Sequence, residues 1–109
     1  MGHEATYVNF LPGDTIFYQG DEGDSLYILL SGQVQVLIAN GAGENELIAE
    51  RGEGDLIGIR ALRKNTNRSA TVIAKTYVTC LYLSAQDIHR FSAQSVDLAG
   101  RLQKMGLLK

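Results

Sequence analysis

The spacing of glycine constrains this 109-residue chain more than any other feature. Gly13, Gly20, Gly23, Gly32, Gly41, Gly43, Gly52, Gly54 and Gly58 punctuate the first half, and the next glycine is Gly100. Glycine enters left-handed backbone without steric cost, so this cadence marks a series of tight turns. The segments between the turns have strand character: residues 15–19, 25–30, 33–38, 46–50, 70–74 and 78–83. Gln33-Val34-Gln35-Val36 alternates polar and apolar side chains, as a half-buried strand does. Asn40-Gly41 supplies a hairpin turn that residues 42–45 lengthen. Val72, Ile73, Val78 and Tyr82 suit a pleated surface. Short strands with turn signals about every 8–12 residues describe a β-sandwich or barrel, so residues up to 83 are expected to be all-β.

The pattern changes at Ser84. Ser84-Ala85-Gln86-Asp87 places a hydroxyl three residues before a carboxylate, the signature of a helix start. Ile88 and Phe91 then share one face, and Leu98, Leu102 and Met105 continue at helical spacing from about residue 94. Gly100 and Gly106 each cost that last helix about 1 kcal/mol, so it needs a partner or a ligand to hold it. The chain reads as mainly β with C-terminal helices, one domain over residues 1–109, with the β part at about 7–83 and the helices at about 84–108. Ten Lys and Arg against twelve Asp and Glu leave a net charge of −2, which provides no broad field for nucleic acid. The lone Cys80 rules out an intrachain disulfide and points to a reducing, cytoplasmic setting. Apolar runs fall far short of the roughly 20 residues of a membrane span, and neither a signal peptide nor a membrane partner is expected.

One stretch suggests ligand chemistry. Residues 54–62, Gly-Asp-Leu-Ile-Gly-Ile-Arg-Ala-Leu, interrupt the strand series. Gly58 permits close backbone approach, and residues 59–63 fit a single helical turn whose exposed N–H groups favour an anion. Arg68 and Ser69 follow at a strand start. A guanidinium and a hydroxyl facing such N–H groups make a phosphate pocket, because guanidinium meets phosphate with paired hydrogen bonds. The plainer alternative puts Arg68 at the surface beside Glu50 or Glu53. Gly52-x-Gly54-x-x-x-Gly58 misses the dinucleotide fingerprint by one residue and lacks its βαβ setting. His89 and Cys80 have no partners at metal-ligand spacing, and Asp21-Glu22-Gly23-Asp24 reads as a solvated turn, not a calcium loop. No nucleophile–base pair stands out, so a non-catalytic chain without metal is expected. Tyr7, Tyr18, Tyr27, Tyr77 and Tyr82 read as sheet packing with wet hydroxyls.

Residues 10–21, Phe-Leu-Pro-Gly-Asp-Thr-Ile-Phe-Tyr-Gln-Gly-Asp, resemble the entry strands of cyclic-nucleotide-binding domains. So do residues 23–34, with Tyr27 and then Ser31-Gly32 at successive hairpins. Residues 57–62 and Arg68-Ser69-Ala70-Thr71-Val72-Ile73-Ala74 resemble that family's phosphate-binding cassette. The resemblance covers about residues 8–108, and the family includes kinase regulatory subunits, cyclic-nucleotide-gated channels and bacterial catabolite activators. It implies an eight-stranded β jelly roll with a short cassette helix and C-terminal helices that close over the ligand. It implies that Arg68 carries the charge facing the cyclic phosphate and that Ser69 adds a hydroxyl bond. Amides near Arg60 and Ala61 would complete the cradle, and Gly58 matches the family glycine. Ala70 stands where threonine often accompanies cGMP, so the implied regulatory ligand is cAMP, with cGMP second. Leu62 matches the apolar residue that transmits cassette movement to the last helices.

Ile59 departs from this pattern, because the family usually places there a glutamate that accepts the ribose 2′-hydroxyl. An unpaired buried hydroxyl costs roughly 1–3 kcal/mol, about 5- to 150-fold in affinity. Asn67 replaces a frequent proline, and Arg60 and Arg63 replace apolar residues, which suits either a different or more highly charged anion or a turn that faces solvent. The implied function is a sensor that passes ligand binding through its C-terminal helices to an effector domain, a protein partner or a second copy of the chain. Two alternatives stand beside it: a degenerate domain kept as an interaction or dimerisation scaffold, and a site for another phosphorylated small molecule.

Overall fold

The computed structural model describes residues 6–59 and 66–94. Eight strands come first: β1 Thr6–Phe10, β2 Thr15–Phe17, β3 Ser25–Ser31, β4 Val34–Ala39, β5 Asn45–Arg51, β6 Leu56–Ile57, β7 Thr71–Ala74 and β8 Val78–Ser84. One helix follows, α1 Ala85–Gln94. The strands form two four-stranded antiparallel sheets, ordered β1-β8-β3-β6 and β2-β7-β4-β5. The chain crosses between sheets at nearly every connection, the winding of the expected jelly roll.

The two sheets bury one apolar core of Ile16, Phe17, Leu29, Val34, Ile57, Val72, Ala74, Val78 and Cys80. Alternation along β4 and β8 sends Val34, Val78 and Cys80 inward, where they are fully buried. Tyr27 packs between Phe17 and Tyr82, with ring centroids at 6.1 and 5.4 Å. A second cluster of Leu26, Leu83 and Ile88 fastens α1 to the sheet holding β3 and β8.

The expected turns and helix start are present, with visible causes. Asn40 accepts two backbone N–H bonds at its side-chain oxygen, from Ala42 at 2.8 Å and Glu44 at 3.1 Å, and so shapes the β4–β5 loop. The Ser84 hydroxyl accepts from the Asp87 amide at 3.1 Å, while the Asp87 carboxylate accepts from the Ser84 amide at 3.0 Å. This reciprocal pair satisfies two donors that a helix N-terminus leaves open. Strands β1 and β6 were not anticipated. β6 has two residues, too few to show a period, and the exposed positions of β1 carry Thr6, Tyr7 and Asn9, which blur its alternation. No described helix is long and apolar enough to cross a membrane. The expected helical residues Leu98, Leu102 and Met105 lie outside the described residues, as do the side chains of His89 and Phe91.

Replacing Ser84 with alanine removes one half of the capping pair, and urea denaturation should show a loss of about 1 kcal/mol. Burial pushes the Cys80 thiol up to about 11 from an ordinary 9.0. The folded thiol therefore keeps its proton to higher pH than the unfolded one. Its contribution to stability is complete below about pH 9 and is lost as pH rises through about 11. At pH 8, an alkylating reagent should leave Cys80 untouched in the native protein and label it readily in denaturant.

Candidate functional site

Strand β6 ends at Ile57, which pairs with Tyr27 of β3, and the chain then turns at Gly58 with φ of +87°. A side-chain carbon at this position would collide with Nη1 of Arg68 and stand 3.3 Å from the Ser25 carbonyl. Only glycine permits both the left-handed backbone and the approach of the guanidinium. Arg68 fills that space. Its Nη1 donates to the carbonyls of Ser25 at 2.8 Å and Gly58 at 3.0 Å, and its Nη2 donates to the Ser25 hydroxyl at 3.0 Å. The guanidinium carbon sits 4.2 Å from the centre of the Phe17 ring, a cation–π contact. The Arg68 amide donates to the Asp21 carbonyl at 2.7 Å, and its carbonyl accepts from the Gly20 amide at 2.9 Å. The acidic turn 21–24 is thus largely exposed but docked on the Arg68 segment, an attachment that Glu22 and Asn67 extend by a β-bridge.

Arg68 is 5% exposed, so the plainer expectation of a surface arginine beside Glu50 or Glu53 is incorrect. Glu50 instead accepts from Lys75 at 2.9 Å. Among the described residues no carboxylate lies within ion-pair distance of Arg68. Burial pulls the Arg68 guanidinium below its ordinary pKa, against the opposing influence of Tyr27, Asp24, Tyr82 and Asp21. Guanidinium remains charged in proteins, so the site holds a buried cation bound to neutral oxygens. Its Nε is buried and has no hydrogen-bond partner. A buried donor left open costs about 1–3 kcal/mol, more where the group is charged.

Arg68 forms part of the wall of a cavity of about 220 Å³. Phe17, Val36, Ile38 and Val72 make the apolar side, with Leu56 and Ile57 of β6 and with Ile48 and Arg51 of β5 also in the lining. Five of the expected site residues, Gly58, Ile59, Arg68, Ser69 and Ala70, meet at this cavity. Ser69 is exposed and Ala70 buried. Arg60 and Ala61 lie outside the described residues, as do Leu62 and Arg63. Ile59 occupies its place in the wall, and among the described residues no carboxylate lines the cavity. The expectation did not include Ser25, Phe17 or Arg51. Ser25 is 3% exposed yet reads in sequence as an ordinary polar strand start, and only the fold brings it to a residue 43 positions away. Ser25 also pairs with Ser84 across β3 and β8, and the Ala85 amide donates to the Asp24 carbonyl at 3.1 Å. The guanidinium and the start of α1 are therefore joined through one strand pair.

Comparison with known proteins agrees with this architecture. A cGMP-dependent protein kinase of Plasmodium berghei is 46% identical over 72 residues, which is 66% of this chain and 8% of the kinase. The N-terminal domain of a transcriptional regulator from Streptomyces coelicolor superposes with a TM-score of 0.81 at 31% identity, covering 93% of this chain and 72% of that one. The catabolite activator protein of Thermus thermophilus superposes with a TM-score of 0.83 at 29% identity, covering 93% of this chain and 47% of that one. The chain spans less than a tenth of the length of the curated relatives it matches first. The family model of the cyclic nucleotide-binding domain matches residues 7–95. On the fold, the Gly58–Arg68 site and that match together, the chain belongs to the cyclic nucleotide-binding domain family, a family of regulatory, ligand-binding modules.

Proposed function

We propose that this chain senses a cyclic nucleotide, cAMP first and cGMP second, through the guanidinium of Arg68. The observation that carries the reading is Arg68, a buried cation that lines the cavity and whose Nε has no hydrogen-bond partner among the described residues. A cyclic phosphate supplies the missing acceptor and the missing negative charge together. Ser69 lines the same cavity and would add its hydroxyl, and the reading assigns the rest of the cradle to amides near Arg60 and Ala61, which lie outside the described residues. The preference for cAMP rests on Ala70, which offers the ligand no hydroxyl where cGMP-selective relatives often have a threonine. Ile59 leaves the ribose 2′-hydroxyl without an acceptor.

The mechanism we propose is a population shift. Phosphate competes with the Ser25 and Gly58 carbonyls for Arg68, and the strain reaches α1 through the Ser25–Ser84 pair. The ligand moves the equilibrium only by its differential affinity for the two arrangements. The chain itself is non-catalytic in this reading and acts in the cytoplasm. Its output passes from the C-terminal helices to an effector domain, a protein partner or a second copy of the chain. The scaffold reading has one observation in its favour, since Ser25 and Gly58 accept three hydrogen bonds from Arg68.

Calorimetric titration with cAMP and cGMP decides between the two readings. Sensing requires cAMP binding that disappears in Arg68→Ala, while silence with both nucleotides at millimolar concentration counts against cAMP and cGMP and favours the scaffold. If the ribose contact is absent, 2′-deoxy-cAMP binds as well as cAMP. Installing the acceptor with Ile59→Glu should tighten cAMP by about 1–3 kcal/mol. A folded Ile59→Glu variant with no gain would count against the pocket.

A further inference from the structure

We infer that Arg51 is a second anion-contacting group of the cavity, and that the ligand it selects is a nucleotide with two phosphate groups. The inference rests on the nucleotide reading above and adds the charge of the ligand to it. Directly paired residues of an antiparallel ladder share a face, and Arg51 and Ala49 of β5 pair with Val34 and Val36 of β4. Val36 lines the cavity, so Arg51 is on the same side, at the exposed mouth. Its neighbour Glu50 is committed elsewhere, to Lys75 at 2.9 Å. Among the described residues, Arg51 has no carboxylate within ion-pair distance, and its Nη1 donates to the Glu50 carbonyl at 3.2 Å.

The charge of the cavity is therefore one-sided. Among the described residues two guanidiniums line it and no Asp or Glu does, in a chain whose net charge is −2. A nucleotide with one phosphate neutralises Arg68 and leaves Arg51 uncompensated at the mouth. A second phosphate meets Arg51 with paired hydrogen bonds, and Ile59 places no carboxylate nearby to repel it. Solvent at the mouth weakens the second contact relative to the first, so the gain is moderate.

Titration calorimetry of the full chain at fixed ionic strength tests this with three ligands. These are cAMP, cyclic di-adenylate with two separate phosphodiesters, and ADP with a linked diphosphate. The expected result is that one two-phosphate ligand binds about five- to tenfold tighter than cAMP. Cyclic di-adenylate ahead of ADP means that the two phosphates are held apart, and the reverse means that they are held as a pair. Arg51→Gln should bring the affinity ratio to about one, while Arg51→Lys keeps most of it. Arg90→Gln removes a cation of α1 that does not line the cavity and should leave the ratio standing. Equal affinity for cAMP and both other ligands overturns the inference and spares the nucleotide reading. A ratio that survives Arg51→Gln also overturns it. Failure of all three ligands to bind overturns the nucleotide reading itself, and this inference with it.

Discussion

A buried guanidinium with no carboxylate partner among the described residues organises this molecule. Arg68 bonds through its backbone to the turn at Gly20 and Asp21, and through its side chain to Ser25 at the start of β3 and to Gly58 just past β6. Its flat face rests on Phe17 of the opposite sheet. Removing a cation from water costs several kcal/mol even after relaxation, and neutral oxygens recover only part of that. The arrangement is thus held by the surrounding fold at some expense, and the open Nε marks where the deficit lies. Gly58 is the geometric condition for all of it, because any side chain there would occupy the space of the guanidinium.

The same cation explains why the cavity sits where it does. Jelly-roll winding brings the end of β6 and the start of β7 to one side of the sandwich, against the face of β4 and its neighbour β5. The apolar residues of that face cannot satisfy a charge, so Arg68 turns to carbonyls on the sheet holding β3. One wall is apolar and suited to a flat ring. The other is cationic and carries a hydroxyl. Among the described residues that line it, Arg51 and Arg68 are charged and Ile59 is apolar, which leaves that wall positive.

Much of this was legible in the sequence because local rules applied cleanly. Turn glycines and two-residue alternation located β2, β3, β4, β5, β7 and β8, and the spacing of Ser84 and Asp87 located the start of α1. β6 escaped because two residues carry no period, and its pairing with Tyr27 and Ile28 is decided by the sandwich. The nearness of Gly58 and Arg68 followed from the family resemblance. The partner Ser25 did not, because a serine at a strand start has many ordinary uses. Glu50 and Glu53 looked like fitting partners for Arg68 on charge alone. That expectation failed because the turn at residues 20–21 draws Arg68 beneath the surface, away from both.

Strand β5 forms one edge of its sheet and carries Leu47 and Ile48 exposed to solvent. An open edge with apolar side chains invites a second chain to add its own strand. The register with β4 slips between Val36 and Leu37, leaving Ile48 as the extra residue of a bulge. The bulge bends the outer row of amides and carbonyls out of line. Glu44, Glu46, Glu50 and Arg51 surround the apolar pair with charge. An approaching strand meets an interrupted ladder and several groups that resist dehydration. The irregularity that turns Ile48 toward the cavity thus also acts as a colloidal safeguard at high protein concentration.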